Sequence, residues 1–154
     1  MKSDIGQLVS NIEIGSMYLY FYDPKWKDQL PFYDTFPLVL PFSPAKGGFY
    51  GINLHYLPYK YRVAFLRKLL EYAVLDKDDE IKRLRITYDI LSASRRFREF
   101  RPCIKRYLYD HVKSRIVTFQ PNEWETAIYL PLQQFKKATP QEVWQDSVEE
   151  IRKV

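Results

Sequence analysis

Two stretches in the first third of the chain have the hydrophobic pattern of strands. Residues 17–22 (MYLYFY) are apolar or aromatic at every position, which predicts a strand that is buried on both faces or that keeps one face for a partner. Residues 23–31 (DPKWKDQLP) predict a turn or loop. Residues 38–40 form a shorter run, and the prolines on either side predict that it stays short or lies at a sheet edge. Gly47 and Gly48 then predict a turn that reverses the chain.

A third strand is predicted over residues 48–57, directly after that turn. Its apolar and polar side chains alternate, so one face should be buried and the other should be polar. The apolar face carries Ile52, Leu54 and Tyr56, and the polar face carries Asn53 and His55. Together the three strands predict a small antiparallel sheet.

From Pro58 onward the apolar positions take a helical period. Residues 58–74 have an apolar stripe with Lys and Arg outside it, which predicts a helix that begins near the proline. Residues 76–80 (DKDDE) indicate a solvated break. Residues 81–98 fit a strand or a helix by period, and the helix is favoured because residues 92–100 (SASRRFREF) continue without turn residues. Residues 102–112 predict a further helix, whose inward positions are Ile104, Tyr107, Leu108 and Val112.

The last quarter of the chain carries one more strand signal and two helix starts. Residues 114–120 are rich in β-branched side chains and predict a strand. Asn122 is a suitable N-cap for a short helix that ends before Pro131. Residues 139–142 (TPQE) form a capping box with proline at the first helical position, which predicts the start of a final helix.

These elements predict an α+β fold, with a small antiparallel sheet in the N-terminal third followed mostly by α-helices. Residues 1–15 are predicted to be an N-terminal arm, and residues 16–154 a single compact domain. Apolar residues make up 46% of the chain and charged residues 28%, which excludes a disordered class. The single cysteine excludes an intramolecular disulfide. The patterns of a signal peptide and of a membrane span are missing, so neither secretion nor membrane insertion is expected.

Three glycines near residue 50 raise the question of a phosphate-binding loop. Gly47, Gly48 and Gly51 match neither the G-x-G-x-x-G nor the G-x-x-x-x-G-K-[ST] spacing, and no helix follows Gly51 directly. We therefore interpret them as turn and packing positions. Gly51 is expected to allow the close approach of a backbone or an aromatic ring.

Two histidines and the cysteine are the remaining candidates for metal binding or nucleophilic catalysis. His55 and His111 lack a metal-ligand spacing, so no metal site is predicted, and His55 is interpreted as a hydrogen-bonded structural residue. Cys103 and His111 would lie about 12 Å apart along the predicted helix, too far for direct activation. A buried, inert thiol is expected instead. We therefore predict that the protein is not an enzyme and has no cofactor.

Positive charge is the strongest chemical signal in the sequence. The whole chain carries +5, whereas residues 92–115 alone carry +6, from eight Lys and Arg side chains against Glu99 and Asp110. Aromatic side chains lie between them, as suits phosphate contact and base stacking, but such arginines would equally meet an acidic protein surface. The predicted partner- or nucleic-acid-binding residues are Arg95, Arg96, Arg98, Arg101, Lys105, Arg106, Lys113 and Arg115.

The arm and the first strand form a second candidate interface. A neighbouring chain could cover the outer face of residues 17–22 or add a strand to the sheet. The alternative is that C-terminal helices of the same chain cover this face. The predicted assembly contacts are Ile5, Leu8, Val9, Ile12, Tyr18, Tyr20 and Tyr22.

Several short motifs resemble a small protein of large contractile-tailed, tevenvirus-like phages. In the first half they are Tyr22-Asp23-Pro24-Lys25, Leu30-Pro31-Phe32-Tyr33-Asp34, Phe36-Pro37-Leu38-Val39, Gly48-Phe49, Gly51-Ile52-Asn53-Leu54-His55-Tyr56-Leu57-Pro58 and Arg62. In the second half they are Phe100-Arg101-Pro102-Cys103, Lys105, Tyr107-Leu108, Trp124-Glu125, Ala127, Leu130-Pro131 and Phe135. The resemblance implies a phage setting and transfers no catalytic residue.

These features favour a non-catalytic structural component of a phage virion. It would belong to the tail or baseplate and contact other phage structural proteins, in a symmetric assembly. One alternative is a phage DNA-binding or DNA-end protein that uses residues 95–115, and a further alternative is a tail assembly chaperone. The expected location is the virion, and the host cytoplasm during assembly. No membrane and no small-molecule substrate is expected as a partner.

Overall fold

Eight antiparallel strands are present in the computed structural model, which describes residues 5–74 and 98–153. They are β1 (Gln7–Val9), β2 (Met17–Leu19), β3 (Tyr33–Asp34), β4 (Leu38–Ala45), β5 (Gly48–Asn53), β6 (Ile104–Leu108), β7 (Ile116–Phe119) and β8 (Phe135–Lys136). Six of them form one sheet in the order β1-β7-β2-β4-β5-β6, and β3 pairs with β8 in a second. The helices lie mostly toward the C-terminus, so the predicted α+β class is confirmed.

Three α-helices and four 3₁₀ helices complete the described part of the chain. The α-helices are α1 (Tyr59–Val74), α2 (Trp124–Tyr129) and α3 (Pro140–Arg152), and the 3₁₀ helices are Leu54–Tyr56, Arg98–Cys103, Tyr109–His111 and Pro121–Glu123. The helix predicted over residues 58–74 is confirmed as α1. The predicted capping box is also present, since Thr139 Oγ1 accepts from Glu142 N at 3.2 Å and Glu142 Oε1 accepts from Thr139 N at 2.9 Å.

The helix α2 ends before Pro131 as predicted, but it starts differently. Asn122 lies inside the turn Pro121–Glu123, and Gln120 is the N-cap of that turn. Glu123 Oε1 accepts a hydrogen bond from Gln120 N at 2.8 Å, and its Oε2 accepts one from Gly6 N at 3.1 Å. One carboxylate therefore both caps the turn and holds the N-terminal segment.

The large sheet has apolar clusters on both faces. On one face, Met17, Leu19, Leu38, Leu40 and Ile52 share a core with Phe65 and Leu66 of α1, Trp124 and Ile128 of α2, and Val143 of α3. The second cluster is rich in tyrosine and consists of Tyr18, Tyr20, Tyr22, Val39, Phe49 and Tyr107. Residues 17–22 are buried as predicted, except that Phe21 is 43% exposed. The regular strand β2 ends at Leu19, and Tyr22 forms an isolated bridge with Val112.

The cover of the tyrosine cluster differs from both expectations. Val9 and Ile12 of the N-terminal segment pack against it, together with Val112 and Ile116. The same chain therefore covers this face, with its N-terminal segment, Val112 and the start of β7, and not with its C-terminal helices.

The N-terminal segment is also paired within the sheet. Gln7–Val9 form the edge strand β1, in which Leu8 lies opposite Val117 of β7. The boundary predicted between residues 15 and 16 stays a prediction. The break predicted at residues 76–80, and the element predicted over residues 81–98 except Arg98, lie outside the described residues. None of the described helices is long and apolar enough to cross a membrane.

The helix predicted over residues 102–112 is wrong. The chain there leaves the 3₁₀ helix Arg98–Cys103, runs through β6 and enters a second 3₁₀ helix at Tyr109. In β6, Lys105 lies opposite Gly51 and Tyr107 opposite Phe49 of β5. The apolar positions have helical spacing, and pairing with β5 overrides it because it buries Tyr107 beside cross-strand neighbours.

The third predicted strand stops earlier than expected. After Asn53 the chain forms the 3₁₀ helix Leu54–Tyr56, whose N-cap is Asn53 itself, because its side-chain oxygen accepts from His55 N at 3.0 Å. Both Asn53 and His55 are fully buried, so the predicted polar face is wrong. The alternation failed because the Asn53 side chain and His55 Nδ1 are hydrogen-bonded to buried partners instead of water, whereas His55 Nε2 has no hydrogen-bond partner among the described residues.

The strand β4 is longer than predicted and contains two prolines. It pairs with β2 only at Leu38 and Val39, whereas its pairing with β5 continues to Ala45. Pro41 and Pro44 therefore fall where β4 has no β2 partner that would need their N–H groups. The predicted turn is confirmed: Gly47 has φ +72 between β4 and β5.

Candidate nucleic-acid interface

A cavity of about 430 Å³ lies between residues 22–34 and the edge strand β6. Its volume is in the range of pockets that hold small ligands. The aromatic residues that line it are Tyr22, Trp26, Phe32, Tyr33, Tyr56 and Tyr107, and the cationic ones are Lys25, Lys105 and Arg106. We refer to this feature as the β6 cavity.

The structure separates the basic residues that were predicted as one surface. Arg95 and Arg96 lie outside the described residues. Arg98 and Arg101 are exposed on the 3₁₀ helix before β6, and Lys113 and Arg115 are exposed on the segment before β7. Of the described members of the set, Lys105 and Arg106 line the β6 cavity.

Lys105 is the most unusual cation in the cavity. Its Nζ lies 4.1 Å from the centre of the Tyr56 ring. Among the described residues it makes neither a hydrogen bond nor an ion pair. Burial lowers the pKa of Lys105, although Asp146 and Glu150 oppose this through space. A cation in this position would be stabilised by an anion that enters the cavity.

The outer wall of the cavity carries an exposed indole. Trp26 is 61% exposed, and Lys25 Nζ lies 5.1 Å from its ring centre. Deeper in the cavity, the rings of Phe32 and Tyr56 have centroids 6.1 Å apart. An exposed indole beside a lysine is suited to stack on a base while the lysine contacts a phosphate.

The side chain of Lys137 is hydrogen-bonded to the backbone of the loop that carries Trp26. The Lys137 ammonium donates to the carbonyls of Lys27 at 2.8 Å and Leu30 at 3.0 Å, and it lies 3.4 Å from that of Asp28. Lys137 has φ +72, which is uncommon outside glycine. The loop is therefore held in one shape by a residue whose own backbone is unfavourable.

Asp34, which lines the cavity, forms a buried pair with His55. Asp34 accepts from Asn53 Nδ2 at 3.0 Å and from His55 Nδ1 at 2.8 Å with one oxygen. Its other oxygen accepts from the backbone N–H groups of Phe36 and Gln134, each at 3.0 Å. Burial alone would raise the pKa of Asp34, but hydrogen bonds from His55 and Asn53 outweigh it and hold the pKa below its usual value. Burial lowers the pKa of His55, and the bond to Asp34 offsets this only in part.

This pair predicts that acid destabilises the protein in two steps. The unfolded His55 binds its proton near pH 6.5 and the folded one only at lower pH, so the free energy of unfolding should fall below about pH 6.5, by at most about 1.4 kcal/mol per pH unit. Asp34 adds a second loss below about pH 3.9. Urea unfolding at neutral pH and at a series of lower pH values measures the first step; His55→Gln should remove it and His111→Gln should keep it. An unchanged pH dependence in His55→Gln would contradict the assignment.

The other residues considered for catalysis are far from a reactive arrangement. Cys103 is fully buried, and burial raises the pKa of its thiol to about 12. His111 lies on a different element and its Nδ1 is 2.7 Å from Asp23 O. No described group of three His, Cys, Asp or Glu side chains could hold a metal ion. Gly51 is a packing position, but its close neighbour is the Val39 side chain, whose Cγ1 would lie 2.4 Å from a Cβ there, and not the expected backbone or aromatic ring.

The predicted assembly contacts fall into two groups. Tyr18, Tyr20 and Tyr22 are buried in the tyrosine cluster, so a neighbouring chain would reach them only if the N-terminal segment moved away. Leu8 is 55% exposed on the edge strand β1, and Ile5, Val9 and Ile12 are partly buried.

Most of the cavity residues were missed by the sequence reasoning. Trp26 lies in a segment that was interpreted as a turn or loop, Tyr33 and Asp34 follow that segment, and Tyr56 was assigned to the apolar face of the sheet. The one local signal was Lys25-Trp26-Lys27, an indole between two lysines. Such a triplet is too short to identify a site without the wall that β6 supplies.

Comparison with known proteins identifies the family. Residues 1–147 match the family model of the phage T4 terminal DNA protecting protein. Neither the curated proteins nor the solved structures include a significant match. The prediction of a tail or baseplate component is wrong, because the matched family is described by the protection of DNA ends; the DNA-end alternative agrees better with it. The match covers most of the chain, so this phage protein belongs to the family of the phage T4 terminal DNA protecting protein.

Proposed function

We propose that this chain binds the ends of linear DNA and protects them by occupying them. The family supports DNA ends as the ligand. The observation that carries the proposal to particular residues is the β6 cavity, in which aromatic rings and three cations converge. Bases inside a duplex are stacked on both sides, whereas a terminal base pair has one free face and opens more easily. A cavity lined by rings and cations therefore suits an end better than the middle of a duplex.

The exposed basic residues outside the cavity supply the second part of the proposed contact. Arg98, Arg101, Lys113 and Arg115 are exposed and would contact phosphates without regard to sequence. Arg95 and Arg96 remain predicted members of this set. Because such contacts release counterions, the association constant should fall as salt is added. The slope of its logarithm against the logarithm of the salt concentration should be about −0.9 per phosphate contacted.

We also propose that protection is not catalytic. Asp34 and His55 are buried and bonded to each other, and the Cys103 thiol is buried with a raised pKa. A general base must reach its substrate within hydrogen-bond distance; His55 and Cys103 are fully buried, and the two oxygens of Asp34 already accept four hydrogen bonds within the fold. The proposed mechanism is steric: an enzyme that starts degradation at a terminus finds that terminus covered.

The test compares one circular DNA before and after it is cut once. The linear form should compete for the protein at least tenfold better than the covalently closed form of the same sequence at the same salt. A second readout is the rate at which an exonuclease degrades the linear form, which should fall as protein saturates the ends. Equal competition by the two forms would reject end binding and leave a general DNA-binding protein.

The place of action follows from the ligand. We propose that the protein binds DNA ends in the host cytoplasm, and that it enters the virion only while it is bound to those ends. DNA is then its principal partner. Contacts with other phage structural proteins would be secondary to that role.

A further inference from the structure

We propose that the β6 cavity holds an unpaired nucleotide at the terminus of a DNA strand, with the base against Trp26 and Phe32 and a phosphate at Lys105. The inference rests on the proposed function and adds which part of an end is bound. It also assigns the contact to residues that lie mostly outside the basic segment 92–115.

Size favours a single nucleotide. A cavity of about 430 Å³ falls in the range that encloses one small ligand. A stacked base pair with its two backbones is far wider than such a cavity. The terminal base must therefore leave its partner before it enters, and this cost is smallest when the base is already unpaired.

Charge favours a nucleotide over an uncharged aromatic ligand, and Arg62 provides the contrast. Arg62 is fully buried, and its guanidinium donates to the carbonyls of Leu57, Ile128 and His55, so its hydrogen-bonding capacity is used within the fold. The Lys105 ammonium faces the Tyr56 ring and makes no hydrogen bond or ion pair among the described residues; Asp146 and Glu150 act on it only through space. A phosphate at Lys105 would supply the missing anionic acceptor.

The acidic residue in the lining does not oppose this assignment. Asp34 is 4% exposed, and its two oxygens already accept four hydrogen bonds from Phe36, Gln134, Asn53 and His55. Its charge is therefore largely balanced by donors in the fold. The groups that are free to meet a ligand are Lys25, Lys105 and the exposed indole of Trp26.

The wall of the cavity is also preorganised. Lys137 holds the carbonyls of the loop that carries Trp26, and Tyr22 Oη accepts from Leu108 N of β6 at 2.8 Å. Both walls are thus fixed before a ligand arrives, which limits the entropy lost on binding.

The test uses one short duplex with five kinds of end. One end is blunt, and two have one unpaired nucleotide, at the 3′ or at the 5′ terminus. The last two carry the same overhangs with the base removed. At least one overhang should bind about tenfold more tightly than its abasic counterpart, which is the effect expected of one stacked base. Fluorescence anisotropy at fixed salt measures the affinities.

Variants then assign the effect to the cavity. Trp26→Ala should abolish the preference for the intact overhang over the abasic one, and Lys105→Met should weaken binding of both overhangs about tenfold. Tyr129→Ala is the matched exposed aromatic control, since Tyr129 is 56% exposed on α2. Lys60→Met is the matched lysine control, since Lys60 Nζ also lies near a ring, 5.4 Å from Tyr61. Thermal melting shows that each variant is folded.

The two proposals fail in different ways. Equal affinity for intact and abasic overhangs, or an unchanged preference in Trp26→Ala, would overturn the nucleotide site even if linear DNA still outcompetes circular DNA. Loss of the preference for linear DNA would overturn end binding, and the nucleotide site with it.

Discussion

Replacing Gly48 with alanine is expected to destabilise the protein by about 3 kcal/mol or more. A Cβ at this position would lie 1.7 Å from the carbonyl oxygen of Tyr107 and 2.9 Å from Cα of Leu108. Both atoms belong to the backbone of β6, which pairs with β5 at this point. No side-chain rotation relieves the clash, so the two strands must separate locally.

The same change should disturb the β6 cavity, because Tyr107 and Leu108 line it. Urea unfolding measures the stability loss. The control is Gly47→Asn, one residue earlier: Gly47 has φ +72, a Cβ there would meet open space, and asparagine tolerates that backbone region. A Gly48→Ala protein as stable as Gly47→Asn would show that β5 and β6 do not pair in this way.

Replacing Arg62 with methionine is expected to lower stability by about 3 kcal/mol. The Arg62 guanidinium donates to Leu57 O at 2.7 Å, to Ile128 O at 2.8 Å and to His55 O at 3.2 Å. It also lies 4.5 Å from the Tyr59 ring centre. Burial lowers the pKa of Arg62 to about 10, so it stays charged at neutral pH.

Removing a buried charge also removes its desolvation cost, and this relief opposes the loss of stability. Methionine keeps the apolar stem but leaves the carbonyls of Leu57 and Ile128 without their donor, and each such buried group costs about 1–3 kcal/mol. His55 O keeps one donor, Trp144 Nε1 at 2.8 Å. The free-energy cost of the two carbonyls without a donor should therefore exceed the gain from removing the buried charge.

For a chain of this length, such a loss corresponds to a fall in Tm of about 6–12 °C. The matched control is Arg67→Met, the same change at an exposed position of α1, which should shift Tm little. Equal Tm values for the two variants would mean that Arg62 does not connect α1, α2 and the turn at His55.

Features whose signals lie in neighbouring residues could be predicted from the sequence. The capping box of residues 139–142 places both hydrogen-bonding partners three residues apart, so α3 needs no distant contact to begin at Pro140. The turn at Gly47 is similar, because only its own backbone has to adopt φ +72. The burial of residues 17–22, except Phe21, was also predicted correctly, since the composition of this run leaves no polar face.

Features that depend on distant partners could not be predicted in this way. Residues 104–108 have helical spacing of their apolar positions, and only pairing with the backbone of β5, about 55 positions earlier, makes them a strand. His55 was expected to face a polar surface, but the carboxylate of Asp34 lets it be buried.

The candidate site shows the same division. The positive charge of residues 92–115 could be predicted from the sequence, because the net charge of a segment does not depend on how the chain folds. Which cations share a cavity depends on the path of the chain: β6 brings Lys105 and Arg106 to the loop of Lys25 and Trp26, while Arg98 and Arg115 lie elsewhere on the surface. Spatial convergence of residues about 80 positions apart leaves no periodic trace in a sequence, so only the folded chain joins rings and cations into one site.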